Sequence, residues 1–151
     1  MGISTAVEAR EFAGNDTRTV AMDWMLENVP EGTRILCEVY TPQFSSTQYQ
    51  FYEPTGNGTI YHKTADAIGL EYYIPQGHLG TITDIEAIRD AGVEYILFSN
   101  IYERYLAEAT TYANKVANYE TLFSMGEIVF QTEAVEGESR GPIIRILKLE
   151  Q

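Results

Sequence analysis

Cysteine occurs once in the 151 residues, at Cys37, so no disulfide can form within the chain and no disulfide framework exists. Inside an apparent strand, a lone thiol reads as a small hydrophobe. Histidine is nearly as scarce: His62 and His78 stand 16 positions apart, with no CxxC or HExxH partner, and no metal site or cofactor is expected. Basic residues are few. Ten Lys and Arg against 22 Asp and Glu leave a net charge of −12, which repels nucleic acid and anionic headgroups and supplies no stripe to neutralise phosphates.

Other signals are missing too. No window approaches the roughly 20 apolar residues of a membrane span, and the opening MGISTAVEAREF lacks the charged-then-apolar plan of a signal peptide. The chain is therefore expected to be soluble and to carry no address. There is no Walker lysine loop, and the close glycine pair Gly56 and Gly58 does not sit between a strand and a helix.

What the chain does contain is organised around Thr81 to Tyr105, TITDIEAIRDAGVEYILFSNIYERY. Thr83 and Glu86 have capping-box spacing. Ile85 and Ile88 share a helical face, and Gly92 supplies the left-handed residue that ends a helix. Val93 to Phe98 is apolar except for Glu94, as befits a strand covered on both faces of a parallel sheet. It stops at Ser99-Asn100, followed by Tyr102, Arg104 and Tyr105, and ligands of open α/β sheets sit beyond such carboxyl ends.

A second unit of this kind precedes it. Residues 1–14 are expected to be a flexible segment, and residues 15–151 a single α/β domain. Asn15-Asp16 caps a helix whose face carries Ala21, Trp24, Met25 and Val29; Pro30-Glu31-Gly32 breaks it, and Thr33 to Val39 forms a strand. Trp24 reads as core rather than ligand platform. From Tyr40 to Gly80 no period is sustained, and the stretch holds six of the 11 tyrosines. They serve either to cover the sheet or to meet sugar faces and amphipathic partners. A hairpin is expected around Glu53 to Gly58. After the organising unit come helical turns at Glu103 to Ala109 and a helix capped by Asn114, with Val116, Tyr119, Leu122 and Phe123 inward and Gly126 at its end. Glu127 to Thr132 and Ile143 to Leu149 form an antiparallel closing pair at one edge. The predicted fold is a three-layer α/β domain with a mixed, mostly parallel sheet.

Glu38 stands out because it falls near the end of a buried strand, and a buried carboxylate needs a partner or a raised pKa. Arg104 is a candidate partner, in an ion pair bracing two loops, and ligand binding is the alternative use of the acid. Most of Glu103, Glu108, Glu120, Glu133, Glu136 and Glu138 read as solvated surface charge.

Several blocks together resemble a known arrangement: DTRTVAMDWMLENVPEGTRI (16–35), the E-x-Y-x-P of Glu38, Tyr40 and Pro42, AGVEYILFSNIYERY (91–105), YETLF (119–123) and GPIIRILKL (141–149). In this order they are similar to the soluble extracytoplasmic C-terminal domain of dolichyl-phosphate-mannose-protein mannosyltransferase-like membrane glycosyltransferases. The resemblance implies a parent enzyme that moves a sugar from a polyprenyl-phosphate donor, with its catalytic acids in the membrane-embedded part. No catalytic residue is thus carried over to this chain. Glu38, Tyr40, Ser99, Tyr102 and Arg104 match recurrent polar positions of that domain and, with Asn100, are the expected cleft-lining residues. The implied partners are the membrane-embedded part of the same polypeptide and a glycan or protein acceptor, on the extracytoplasmic face. Gln43 to Gly80 departs from the family pattern in length and tyrosine content, so acceptor specificity does not transfer.

Two rival readings stand beside this one. A stand-alone α/β binding protein for a nucleotide or metabolite predicts small-ligand affinity from the isolated chain. A hydrolase needs a nucleophile with a base in reach, and Ser99 with His62 or His78 is the candidate set.

Overall fold

The computed structural model describes residues 8–11, 16–64, 71–133 and 141–150. The elements run β1 (Glu8–Glu11), α1 (Thr17–Asn28), β2 (Arg34–Cys37), β3 (Gln50–Pro54), β4 (Ile60–Lys63), a 3-10 turn (Leu79–Thr81), α2 (Ile85–Asp90), β5 (Tyr95–Phe98), α3 (Ile101–Leu106), α4 (Ala113–Phe123), β6 (Gly126–Glu133) and β7 (Arg145–Leu149). The seven strands form one sheet in the order β1-β6-β7-β5-β2-β3-β4. β7 and β4 are antiparallel to their neighbours, and the remaining five strands share one direction. This is the mixed, mostly parallel sheet that the sequence predicts. The antiparallel C-terminal pair is present, and β1, which falls where no element is predicted, extends the sheet one strand beyond it. The polar loop at 134–140 lies outside the described residues.

Strand alternation divides the core in two. Ile35, Cys37, Phe51, Leu97, Phe130 and Ile146 face α1, where they meet Val20, Ala21, Trp24 and Met25. Leu36, Ile96, Phe98 and Leu147 point the other way, against Ile88 of α2, Ile101 of α3, and Tyr119 and Leu122 of α4. The result is a helix-sheet-helix sandwich with β5 and β2 at its centre. Trp24 is 7% exposed and stacks on Phe130 at 5.2 Å, so it is core.

Local signals explain the element ends. Asp16 caps α1 by accepting from the Arg18 N–H at 2.8 Å. Gly92 takes φ 74 where α2 must turn into β5, a conformation that costs a residue with a Cβ. The α2 cap is Asp84, accepting from Ala87 N–H at 3.2 Å, rather than Thr83, because the helix begins one residue later than the capping-box spacing implies. Helix α4 begins at Ala113, one residue ahead of the expected cap Asn114, and Gly126 opens β6 instead of closing the helix. The hairpin forms as predicted, pairing Pro54 with Ile60, although Glu53 lies within β3 and not in the turn.

The tyrosine-rich stretch is divided between core and surface. Tyr49, Tyr52 and Tyr73 are at most 8% exposed, whereas Tyr40, Tyr61 and Tyr72 are at least 39% exposed. Tyr73 stacks on Phe51 at 4.0 Å and, with Phe44 and Tyr49, covers the α1 face of the sheet beyond the helix.

Candidate functional site

β2 and β5 are adjacent and parallel, with Cys37 opposite Leu97, so the residues just past their carboxyl ends meet. Those residues include Glu38 and Ser99, both 0% exposed. The Glu38 Oε2 accepts from the Ser99 backbone N–H at 2.8 Å and from its Oγ at 3.2 Å. Oε1 accepts from the Leu79 N–H at 2.9 Å and from the Tyr119 phenol in a very short bond. All of these donors are neutral. Burial therefore outweighs the hydrogen bonds and pushes the Glu38 carboxyl up to about 7. The Tyr119 phenol is driven far up as well, by burial first and then by the Glu38 charge.

Two local features aim Tyr119 at this carboxyl. A Cβ on Gly80 would stand 2.5 Å from the Tyr119 ring, so the 3-10 turn approaches α4 only because residue 80 has none. Asn118 then ties α4 to the turn, its Nδ2 donating to the Gly80 carbonyl at 2.7 Å.

The other expected site residues lie outside this buried knot. Arg104 does not pair with Glu38. It is exposed on α3, with its guanidinium 5.3 Å from the Tyr40 ring centroid, while neutral donors occupy both Glu38 oxygens. Tyr40 is 43% exposed. Tyr102 donates to Glu120 at 3.2 Å and packs on Tyr119 at 5.5 Å. The Asn100 side chain makes no cap bond to α3, and its Oδ1 is buried without a hydrogen-bond partner.

A second buried carboxylate escaped the sequence reading. Glu53 is 1% exposed and accepts from Tyr73 at 2.5 Å, Tyr61 at 2.9 Å and the Gln76 N–H at 3.2 Å, with Lys63 Nζ at 3.6 Å. β3 is buried at every position after Gln50, so no alternation marks Glu53, and the turn residues that follow it place it in the loop on sequence grounds. Cys37 is fully buried, and its thiol is pushed far up by burial, as expected of a small hydrophobe.

The histidines are apart. His78 Nδ1 meets the Tyr105 hydroxyl at 2.8 Å, and burial lowers its pKa, while His62 stacks on Tyr52 at 4.8 Å. Among the described residues no group of three or more His, Cys, Asp or Glu is placed to hold a metal ion.

Open space lies on the α1 side of the same carboxyl-end edge. One hollow of about 310 Å³ is bounded by Asp16, Arg18, Met22 and Gln43. Another, of about 230 Å³, shares Arg18 and Gln43 with it and adds Tyr40, Ile74 and Gln76. A third, of about 180 Å³, lies at Gly92 and Leu149, by the opposite ends of the strands. Chemically, the edge thus has a closed part, where Glu38 holds Ser99, and an open part faced with amides, an ion pair and an aromatic ring. Comparison with known proteins finds no matching family model, no similar curated protein and no similar solved structure.

Proposed function

We propose that this chain is a soluble, non-catalytic accessory domain of a polytopic membrane glycosyltransferase that uses a polyprenyl-phosphate sugar donor. It stands on the extracytoplasmic face and serves acceptor or glycan recognition, or braces the loops over the active site. The observation that carries this reading is the state of the carboxyl-end edge. Its nucleophile-type side chain, Ser99, donates to Glu38, and both are 0% exposed, so the polar groups best placed for chemistry are committed to holding the fold. The space beside them is faced with groups suited to recognition. The block-by-block resemblance supplies the setting, with catalysis in the membrane-embedded part. Among the described residues no helix is long and apolar enough to cross a membrane, so the reading requires that part to be supplied elsewhere in the polypeptide.

Cell fractionation with an antibody raised against this chain tests the proposal. A membrane-bound band several times heavier than 17.0 kDa is expected, and a free band of 17.0 kDa sinks the reading. Within the parent enzyme, Arg104→Ala is expected to leave the fold intact, since Arg104 is exposed, and to lower transfer. Unchanged transfer would remove the cleft role from Arg104.

A further inference from the structure

Just past β2 the backbone of Tyr40 takes φ 71, and among the described residues no other non-glycine residue has a positive φ. The left-handed conformation is disfavoured for a residue with a Cβ, and such strain persists only where the surroundings enforce it. Here they do. Thr41 turns back onto the Glu38 carbonyl through its N–H at 3.3 Å and its Oγ1 at 2.7 Å, and the Val39 N–H donates to the Gly77 carbonyl at 3.0 Å. Tyr40 lines the smaller carboxyl-end hollow with 43% of its surface exposed, and the Arg104 guanidinium lies over its ring at 5.3 Å from the centroid.

The two hollows that meet at Arg18 and Gln43 combine three kinds of group. Tyr40 and Ile74 are apolar. Gln43 and Gln76 are exposed amides, each offering a donor and an acceptor. Asp16 and Arg18 form a two-bond ion pair, Nε to Oδ1 at 3.0 Å and Nη2 to Oδ2 at 2.8 Å, which leaves the floor charge-balanced in a chain of net −12. The wall at Gln76 is fixed from behind by buried Glu53, which accepts its backbone N–H.

These chemistries select the ligand. A phosphate needs a free cation or a cradle of amides; here Arg18 is engaged by Asp16, and the Arg104 guanidinium is laid over the Tyr40 ring. A sugar hydroxyl both donates and accepts, as the two glutamines do, and the apolar face of a pyranose matches an exposed tyrosine ring. Taken together, the two volumes fall within the roughly 300–1,000 Å³ of small-molecule pockets.

We propose that these adjoining hollows bind a neutral oligosaccharide, one ring in each, with Tyr40 as the stacking surface and Gln43, Gln76 and the Asp16–Arg18 pair reading the hydroxyls. The inference deepens the recognition role proposed above and rests on that reading for its biological acceptor, not for its chemistry.

The test is a titration of the full chain, followed by two-dimensional NMR of the backbone amides, with mannobiose, cellobiose and lactose, and with digalacturonate as the charged comparator. Saturable shifts are expected at Tyr40, Thr41, Gln43 and Gln76 with at least one neutral disaccharide, and weaker binding with digalacturonate. Tyr40→Gly suits φ 71 and keeps the fold while deleting the ring. It and Gln43→Ala should each weaken binding about tenfold. The site is overturned by the absence of saturable shifts with all three neutral sugars, by tighter binding of digalacturonate, or by unchanged affinity in both variants. Sugar binding by a chain that fractionates as a free 17.0 kDa protein would leave this site standing and remove the accessory-domain reading. A heavy membrane-bound parent whose domain ignores all three sugars would do the reverse.

Discussion

Glu38 and Tyr119 are 81 positions apart in sequence, and the phenol of one donates to the carboxyl of the other inside the core. The contact ties the end of β2 to α4 across the 3-10 turn, whose Leu79 N–H shares the same carboxyl oxygen. Three separate segments therefore converge on one buried acid. A carboxylate so placed with neutral donors is a brace whose strength depends on its proton.

Removing one donor should cost less than removing the acceptor. Tyr119→Phe leaves Glu38 its bonds to Leu79 and Ser99 and is expected to destabilise by about 1–3 kcal/mol. Glu38→Ala orphans two buried backbone N–H groups and opens a cavity, so its loss should be clearly larger. Urea unfolding midpoints measure both, and equal losses would mean that the phenol bond carries the whole brace.

The same acid predicts a pH dependence. Its folded pKa of about 7 lies above the ordinary glutamate value of 4.5, so between these values the folded state binds more protons than the unfolded one. Stability from this group is full below about pH 4.5 and is lost as pH rises through 7, by about 3 kcal/mol in all. His78 acts in the opposite sense, since its lowered folded pKa costs stability as pH falls below 6.5. The readout is therefore the difference between wild type and Glu38→Gln in unfolding free energy at pH 5, 6 and 8. A wild-type advantage that shrinks as pH rises is expected, and one independent of pH would place the Glu38 pKa outside this window. Asp16, lowered chiefly by its hydrogen bond to Arg18, loses its contribution as pH falls through its own lower range and does not enter the window.

Legibility followed the range of the physics. The α1 cap, the Gly92 turn, the hairpin and both core faces depend on residues a few positions apart or on strand alternation, and the sequence displays such spacing directly. The burial of Glu38 was legible too, because an acid at the end of an apolar strand has nowhere else to go. Its partners were not. Arg104 is the obvious cation on charge alone, but the four bonds come from two backbone N–H groups, a serine and a tyrosine, and only the assembled topology makes them neighbours. Tyr119 reads as an inward core residue from helical spacing, which is correct and conceals its polar tip. The strain at Tyr40 leaves no trace in composition, since nothing marks a tyrosine for φ 71.

Gly80 should be coupled to Tyr119. An alanine Cβ there would lie 2.5 Å from the ring, and the Asn118 bond to the Gly80 carbonyl resists separation of turn and helix. Gly80→Ala is expected to cost about 1–3 kcal/mol through overpacking. Because the displaced ring has already lost Glu38, adding Tyr119→Phe should cost less than it does in wild type, a coupling of about 0.5–3 kcal/mol in a double-mutant cycle. Strict additivity would mean that the ring relaxes without losing its bond.

Cys37 offers a probe of whether the carboxyl-end edge opens. The thiol is fully buried in β2, one residue before Glu38, and burial, followed by the Glu53 charge, pushes its pKa far up. Only the thiolate attacks a disulfide reagent, so the folded chain should label with dithionitrobenzoate only through opening. Stoichiometric labelling is expected in concentrated urea and slow labelling without it. Glu38→Ala should raise the native labelling rate by the same factor as its unfolding constant if β2 opens only with the whole fold. A larger rise would mean that the brace specifically holds the end of β2 closed, and that Glu38 controls a local opening beside the proposed sugar site.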